Sequence, residues 1–465
     1  TSLSLAISPS GTVTTGTSIQ VTPTFTVPAG LNMTSSNILV NDNTASPIAA
    51  TSGTPVVHTP TVNTTYKLQV CYTDTRVIPA ISSCESTNGT NTSVQVISGP
   101  TKLSTGGLLN VARSDFTTTA LQNGMVLIAG GINAAGAVEK TVELYDPVNN
   151  KWTRTGEMKT ARRGHAATLL RDGRVLITGG YDGTAATSAL NKAETYDPAT
   201  GVWTNTTGML IQARRWHTST LLNNDKVLIV GGSVSSGSGT VVELFDPTTG
   251  SFTATASLRI PRQGHTATLL PTGHVLIVGR NNSDSSYLSV NSVNYESSRT
   301  TEIYTPTGTP AWADGPVLAY GRDSHTATLM GGSNMLLVTG GYGGTNKAEV
   351  LSVVAAPTST STWVNVPEMS ISRALHTSTY VSAIDKVLVI GGYNATSNML
   401  ITTELFTLDA STPSSSTWST TSNKELALAR AMHTSTMLSN GNVLVLGTYY
   451  TTTGTVSNTT EIWSP

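Results

Sequence analysis

The chain has 465 residues, a formal net charge of −1 and only 11% charged side chains, less than half the share usual in soluble domains. That balance argues against nucleic acid or an anionic membrane as partner, and no apolar run reaches the length that a bilayer span needs. Thr and Ser take the place of charges, a composition that points outside the cell. The start, Thr1-Ser2-Leu3-Ser4, lacks a Met or a basic leader and reads as a processed secreted protein, with no cysteine for a lipid anchor. Acceptors of the form Asn-X-Ser/Thr stand at Asn32, Asn63, Asn88, Asn91, Asn205, Asn281, Asn394 and Asn458, although chance produces many in so Thr-rich a chain.

Residues 1–99 hold only five charged side chains, Asp42, Lys67, Asp74, Arg76 and Glu85. Short alternating runs separated by Gly, Pro, Asn and Ser predict a small β-sandwich. Thr65–Tyr72 and Thr92–Ile97 read as its last two strands. The stretch Pro60–Tyr66 is similar to the start of a late strand in bacterial immunoglobulin-like modules, which implies an immunoglobulin-like sandwich. The two cysteines, Cys71 and Cys84, flank a loop that could fold back as a hairpin. A disulfide is the favoured reading, with two buried thiols as the alternative. Ser98-Gly99-Pro100 reads as a linker.

From Ala112 onward one pattern recurs seven times: Arg, two residues, His, an apolar run, Gly-Gly, then Glu before an aromatic. The Arg is Arg113, Arg162, Arg214, Arg262, Arg322, Arg373 and Arg430. Phe116 holds the His position first, followed by His165, His217, His265, His325, His376 and His433. The Glu is Glu143, Glu194, Glu243, Glu302, Glu349, Glu404 and Glu461. Gly-Gly decays to Gly279-Arg280 in the fourth copy and to Gly447-Thr448 in the seventh. Runs such as Val227–Val230 are β-branched and apolar on both faces, as a strand between two sheets should be. A unit of about fifty residues with this grammar is a propeller blade.

The double glycine, the acidic-aromatic strand and the Trp at 152, 203, 312, 363 and 418 (Phe252 in the third copy) closely resemble the kelch-repeat family. That resemblance spans about four-fifths of the chain and implies an all-β fold, a seven-bladed kelch-type β-propeller over residues 100–465. The last copy stops after its third strand, at Thr460–Pro465. Residues 102–113 align with 151–162, so the segment 100–112 is expected to close the last blade as its outer strand.

Six His invite a metal reading, but one per blade spreads them around a channel, and structural hydrogen bonding is the stronger expectation. The seven Arg and seven Glu read as one buried or half-buried pair per blade, with Arg able to bond bidentately. Some propellers with kelch-like repeats are copper oxidases resembling galactose oxidase, a chemistry that needs a cysteine beside a tyrosine in the propeller and a His from a further C-terminal domain. The propeller has no cysteine and the chain ends with its last blade. The expectation is therefore no catalytic residue, no metal, no cofactor and no enzyme activity.

Residues that escape the repeat mark one face. The longest second-to-third-strand loop runs from Arg280 to Arg299 and carries Asp284, Tyr287 and Tyr295. Tyr181, Tyr342, Tyr393 and Tyr449 follow the glycine position, and Trp216 precedes His217. Aromatic groups beside polar ones suit a protein or glycan surface; ordinary packing is the alternative. The functional expectation is a secreted binding, adhesion or structural surface module acting through these loops. The alternative is a subunit of an extracellular filament or surface layer that contacts other copies of itself.

Overall fold

A computed structural model of the chain describes residues 106–465 except 185–188, 236, 238, 280–297, 343–345, 395–398, 421–423 and 448–455; for residues 1–105 it describes strand backbone alone. Thr1–Lys102 fall in one compact unit, and Leu103–Thr421 with Leu426–Pro465 in another.

In the second unit, seven four-stranded antiparallel sheets follow one another along the chain. Blade 2 represents them. Its strands Ala166–Leu169, Val175–Thr178, Ala193–Asp197 and Val202–Asn205 pair in sequence order, which sets Ile177 opposite Glu194 and Tyr196 opposite Trp203. The first strands are innermost, because their hydroxyls bond from one blade to the next. Thr379 to Ser435 and Thr436 to Thr118 are examples, at 2.7 and 2.8 Å. This is a seven-bladed β-propeller, with Pro413–Ser415 as a short 3₁₀ turn.

The core is distributed between the sheets, with one apolar cluster at each of the seven blade interfaces. The second strand explains why. In Val227–Val230 all four side chains are buried; Val227 and Ile229 pack toward blade 2, Leu228 and Val230 toward blade 4. Alternation along a strand thus feeds two clusters at once, which requires apolar residues on both faces. The outer strands add an aromatic clamp, with Tyr196 and Trp203 rings 5.0 Å apart at a 40° tilt. The indole N–H then crosses to the preceding blade: Trp203 donates to the Gly156 carbonyl and Trp418 to that of Pro367, at 2.8 and 2.7 Å. Trp363 makes the same bond to Pro316 at 3.1 Å, although its strand, Val364–Val366, begins one residue later.

The seventh sheet contains Thr434–Met437, Val443–Leu446 and Thr460–Trp463, and its fourth strand is Ser104–Thr105. Ser104 lies opposite Ile462 and Thr105 opposite Glu461. The clasp continues beyond the strand: the Gly106 amide donates to the Thr460 carbonyl at 2.8 Å and the Leu109 amide to that of Asn458 at 3.0 Å. Leu109 is 2% exposed and belongs to the cluster between blades 7 and 1.

In the first unit, Ser2–Ser8, Ile19–Thr26 and Val56–His58 form one sheet. Leu31–Val40, Thr64–Asp74, Ile81–Ser86 and Thr92–Ile97 belong to a second sheet, in which the backbone register sets Cys71 opposite Cys84. The immunoglobulin-like assignment and the disulfide both concern side chains and packing that lie outside the described residues.

Closure gives a direct test. Removing residues 1–110 deletes the fourth strand of blade 7 and Leu109, whereas removing 1–98 spares both. The longer truncation is expected to melt at a clearly lower temperature; equal melting temperatures would contradict this account of the seam.

Candidate functional site

Each blade is built around a guanidinium with no exposure to solvent. Arg214 donates from Nη2 to Glu243 Oε1 at 2.8 Å and to the Val241 carbonyl at 2.9 Å, and from Nη1 to the Gly231 carbonyl at 2.9 Å. Glu243 accepts the amides of Ile211 and Gln212, in the connection from blade 2, at 2.6 and 3.2 Å. The same ion pair recurs in all seven blades at 2.6–2.9 Å. Bidentate pairing does not occur: each arginine meets one carboxylate oxygen, its remaining bonds go to backbone carbonyls and, in four blades, to a threonine hydroxyl, and Nε of Arg162, Arg322 and Arg373 has no partner among the described residues. Burial lowers the Arg214 guanidinium from its ordinary value against the opposing pull of Glu243; an arginine nonetheless stays charged.

The Arg-x-x-His segment also grips the blade before it. The Gly180 amide donates to the Arg214 carbonyl at 2.9 Å. A Cβ on Gly179 would stand 2.3 Å from that carbonyl oxygen, and Gly179 and Gly180 have φ of 59° and 100°. Those two constraints explain the double glycine. His217 Nε2 shares a 2.8 Å hydrogen bond with Thr178 Oγ1 of blade 2. In the other blades the His bonds a Thr that opens the first strand of the blade before, His165 to Thr117, His265 to Thr218, His325 to Thr266, His376 to Thr326 and His433 to Thr377; blade 2 has Ala166 at that place, and Thr178, opposite it on the second strand, takes the bond. Between blades 7 and 1 the position is Phe116, and the Thr434 hydroxyl has no partner among the described residues. The six His are therefore spread over six interfaces. Among the described residues no group of three or more His, Cys, Asp or Glu could hold a metal ion.

Burial pushes His165, His265 and His433 down to about 3, with the neighbouring arginines acting in the same direction.

The residue before each His has left-handed backbone. Asp115, Gly164, Trp216, Gly264, Ser324, Leu375 and Met432 have φ between 51° and 61°. Hydrogen bonds link them around the channel: Gly164 N–H to Asp115, Trp216 to Gly164, Ser324 to Gly264, Leu375 to Ser324 and Met432 to Leu375, at 2.7–3.2 Å. They stand where the innermost strands begin, so they form the rim of the channel. Left-handed backbone is costly for Trp, Leu and Met, and these bonds hold it in place.

One further position completes the rim. The residue after Gly-Gly pairs with the residue after the buried Arg: Tyr181 with Arg163, Tyr342 with Asp323, Tyr393 with Ala374. Those three tyrosines therefore occupy equivalent places. Trp216 and Tyr181 are drawn together by arginine: Arg215 lies 4.5 Å from the Trp216 ring and 5.3 Å from the Tyr181 ring, and Arg163 5.1 Å from the latter. A Cβ on Gly164 would stand 2.7 Å from Trp216 Nε1, so the indole needs a glycine beneath it. The Trp216 N–H donates to the Asp115 carboxylate. Burial raises this carboxyl to about 6, while Arg163, Trp216 and Arg215 pull it down. Arg299 lies apart from this group, donating to the Leu318 carbonyl at 2.7 Å. Arg280, Asp284, Tyr287, Tyr295 and Tyr449 lie outside the described residues.

Sequence reasoning missed Asp115, Arg163 and Arg215. For Asp115 the available signal was the position before the His, where Gly164 and Gly264 alternate with Asp, Trp, Ser, Leu and Met, a mixture that points to positive φ at a chemically free site; for Arg163 and Arg215 it was the position after the repeat Arg, which is basic only in the second and third copies.

Blade number, strand order and the repeated Arg–Glu–His scaffold define a kelch-type seven-bladed propeller, a class that mediates protein–protein interaction and is typically non-enzymatic. The chain belongs to the Attractin/LZTR1 β-propeller family, whose model matches residues 100–351. No curated protein matches it by sequence. Among solved structures it is similar to a fungal alcohol oxidase of the AA5 family in complex with copper, at 16% identity and a TM-score of 0.60, over 78% of this chain and 76% of that one. It is also similar to YjhT, at 15% identity and a TM-score of 0.48, over 67% and 99% of the two chains. The oxidase likeness shows the fold alone.

Two outcomes follow from the scaffold. Arg214→Met is expected to cost about 3–5 kcal/mol, as loss of one partner of a buried pair does. The double variant Arg214→Met/Glu243→Leu should not recover it, because the Gly231 and Val241 carbonyls and the Ile211 and Gln212 amides would stay unpaired. Urea unfolding of the three proteins checks this, and recovery in the double variant would refute it. For the His, the unfolded chain takes up protons below about 6.5 while the folded rings stay neutral to about 3. Their contribution is thus fully present above 6.5 and is lost as pH falls toward 3. His265→Gln should flatten the fall in stability across that window by up to one proton, about 1.4 kcal/mol per pH unit; an unchanged slope would contradict it.

Proposed function

We propose that the protein is an extracellular, non-enzymatic binding module that holds a protein partner against the channel rim of its propeller. One observation carries this reading: each repeat spends its Arg, Glu, His and Gly on the scaffold, while the positions beside them are fixed in space and varied in chemistry. The rim thereby presents Asp115, Arg163, Tyr181, Arg215, Trp216, Ser324, Leu375 and Met432. Met432 is 39% exposed despite its left-handed backbone, a place where an apolar side chain serves a partner better than the fold. A glycan would need an open aromatic face, but the Trp216 ring has Arg215 over it and the Gly164 backbone against it. Low charge, at 11%, supports an extracellular setting and an adhesive role.

Peptides selected by display against the intact protein test the reading. Leu375→Glu and Met432→Glu are expected to weaken their binding at least about tenfold, the effect of losing an interface anchor. Val148→Glu should leave it unchanged; that residue, 89% exposed, sits in the hairpin between the outer strands of blade 1. Equal loss at both places, or none at the rim, would overturn it.

A further inference from the structure

We infer that the rim between blades 2 and 3 is a carboxylate-binding site, which takes an acidic side chain of the partner protein next to an apolar one. The inference rests on the binding role proposed above and names the chemistry of its partner.

After the buried scaffold arginine, the next residue is Ser114, Gln263, Asp323, Ala374 or Ala431 in five blades. Only blades 2 and 3 place a second arginine there, Arg163 and Arg215, on neighbouring positions of the rim. All seven scaffold arginines have an ion pair. Neither Arg163 nor Arg215 has one within 4 Å among the described residues. Both guanidiniums lie against Tyr181, and Arg215 also against Trp216. Contact with a ring occupies the face of a guanidinium and leaves its in-plane N–H donors available, already oriented, for a planar acceptor. A carboxylate has that shape, and bidentate Arg–carboxylate bonding is the strong form of the contact.

The protein already holds one carboxylate near these arginines. Asp115 feels both charges and accepts the Trp216 N–H. It sets one carboxylate against two guanidiniums. Asp182, the next acid along from Tyr181, is engaged by the Thr184 amide and hydroxyl at 3.0 and 2.7 Å.

The rest of the rim sets what should adjoin the acid. In ring order the positions run Leu375, Met432, Asp115, Gly164, Trp216, so an apolar arc leads directly into the cationic one. A free anion would use only the second arc. A polypeptide carrying an acidic and an apolar side chain together uses both.

The test uses the intact protein and three probes: acetyl-Glu-Leu-amide, acetyl-Gln-Leu-amide and sulfate. The NMR signal of the Trp216 indole N–H, assigned with Trp216→Phe, reports binding. The Glu probe is expected to saturate in the millimolar range, as a small ligand with few contacts does. The Gln probe should bind at least about tenfold more weakly, as should the Glu probe to Arg163→Ala or Arg215→Ala. Asp115→Asn keeps an acceptor for the indole, suits left-handed backbone and removes the competing charge. It should therefore tighten the Glu probe several-fold, a gain that loss of structure cannot mimic. Equal binding of the Glu and Gln probes, indifference to both arginine substitutions, or tighter binding of sulfate than of the Glu probe would each overturn the inference. If the display-selected peptides still depend on Leu375 and Met432 in that case, the binding role stands and only the carboxylate site falls.

Discussion

A fully buried guanidinium in every blade is the constraint on which the rest of the propeller depends. Taking a charge out of water is costly unless every donor and its counter-ion are satisfied. Arg214 meets that demand with four acceptors, the Gln212, Gly231 and Val241 carbonyls and Glu243. Its own carbonyl receives the Gly180 amide of the blade before. One residue thus fixes the end of the second strand, the start of the third, the incoming connection and the neighbouring sheet. The apolar clusters supply cohesion between blades, but they are compatible with small slips; a satisfied buried ion pair is not.

That rigidity gives the rim its character. Positions one and two residues beyond the guanidinium, and the one after Gly-Gly, are held by backbone bonds alone, so their side chains are free to differ. Gly164 in blade 2 makes room for the indole of Trp216 in blade 3, and Trp216 in turn reaches Asp115 of blade 1. The group is asymmetric although the scaffold beneath it repeats. Function in such a ring lies in the departures from symmetry, since a residue repeated in every blade has the same local work to do in each.

The interface between blades 7 and 1 is the exception within the scaffold. Phe116 replaces the His there, and the Thr434 hydroxyl has no partner among the described residues. A Cβ on Gly447 would come within 2.5 Å of the Phe116 ring, so the polar bridge found elsewhere becomes an apolar stack. Cohesion at this seam rests on Leu109, Phe116, Leu446 and Trp152, on the hydrogen bonds from Thr436 to Thr118 and from the Trp152 indole to Thr460, and on the two-residue strand Ser104–Thr105.

Much of the fold was legible in the sequence because blade structure is local. A strand buried on both faces must be apolar on both, and Gly-Gly, Glu and Trp recur at fixed spacing, so the seven copies could be registered without coordinates. The buried role of Arg and Glu could be read from their equal numbers. Their geometry could not: only the folded chain shows that Arg214 uses one carboxylate oxygen and gives its other donors to the Gln212, Gly231 and Val241 carbonyls. The rim was harder still. Tyr181 and Trp216 stood out as aromatics, but Asp115, Arg163 and Arg215 come from three different repeats, and nothing in their spacing brings them together. The sequence by itself determined the repeat and the chemistry of its parts. Which varied residues meet was decided by closure of the ring, because contacts between blades depend on the angle from one sheet to the next, a quantity that no single repeat encodes.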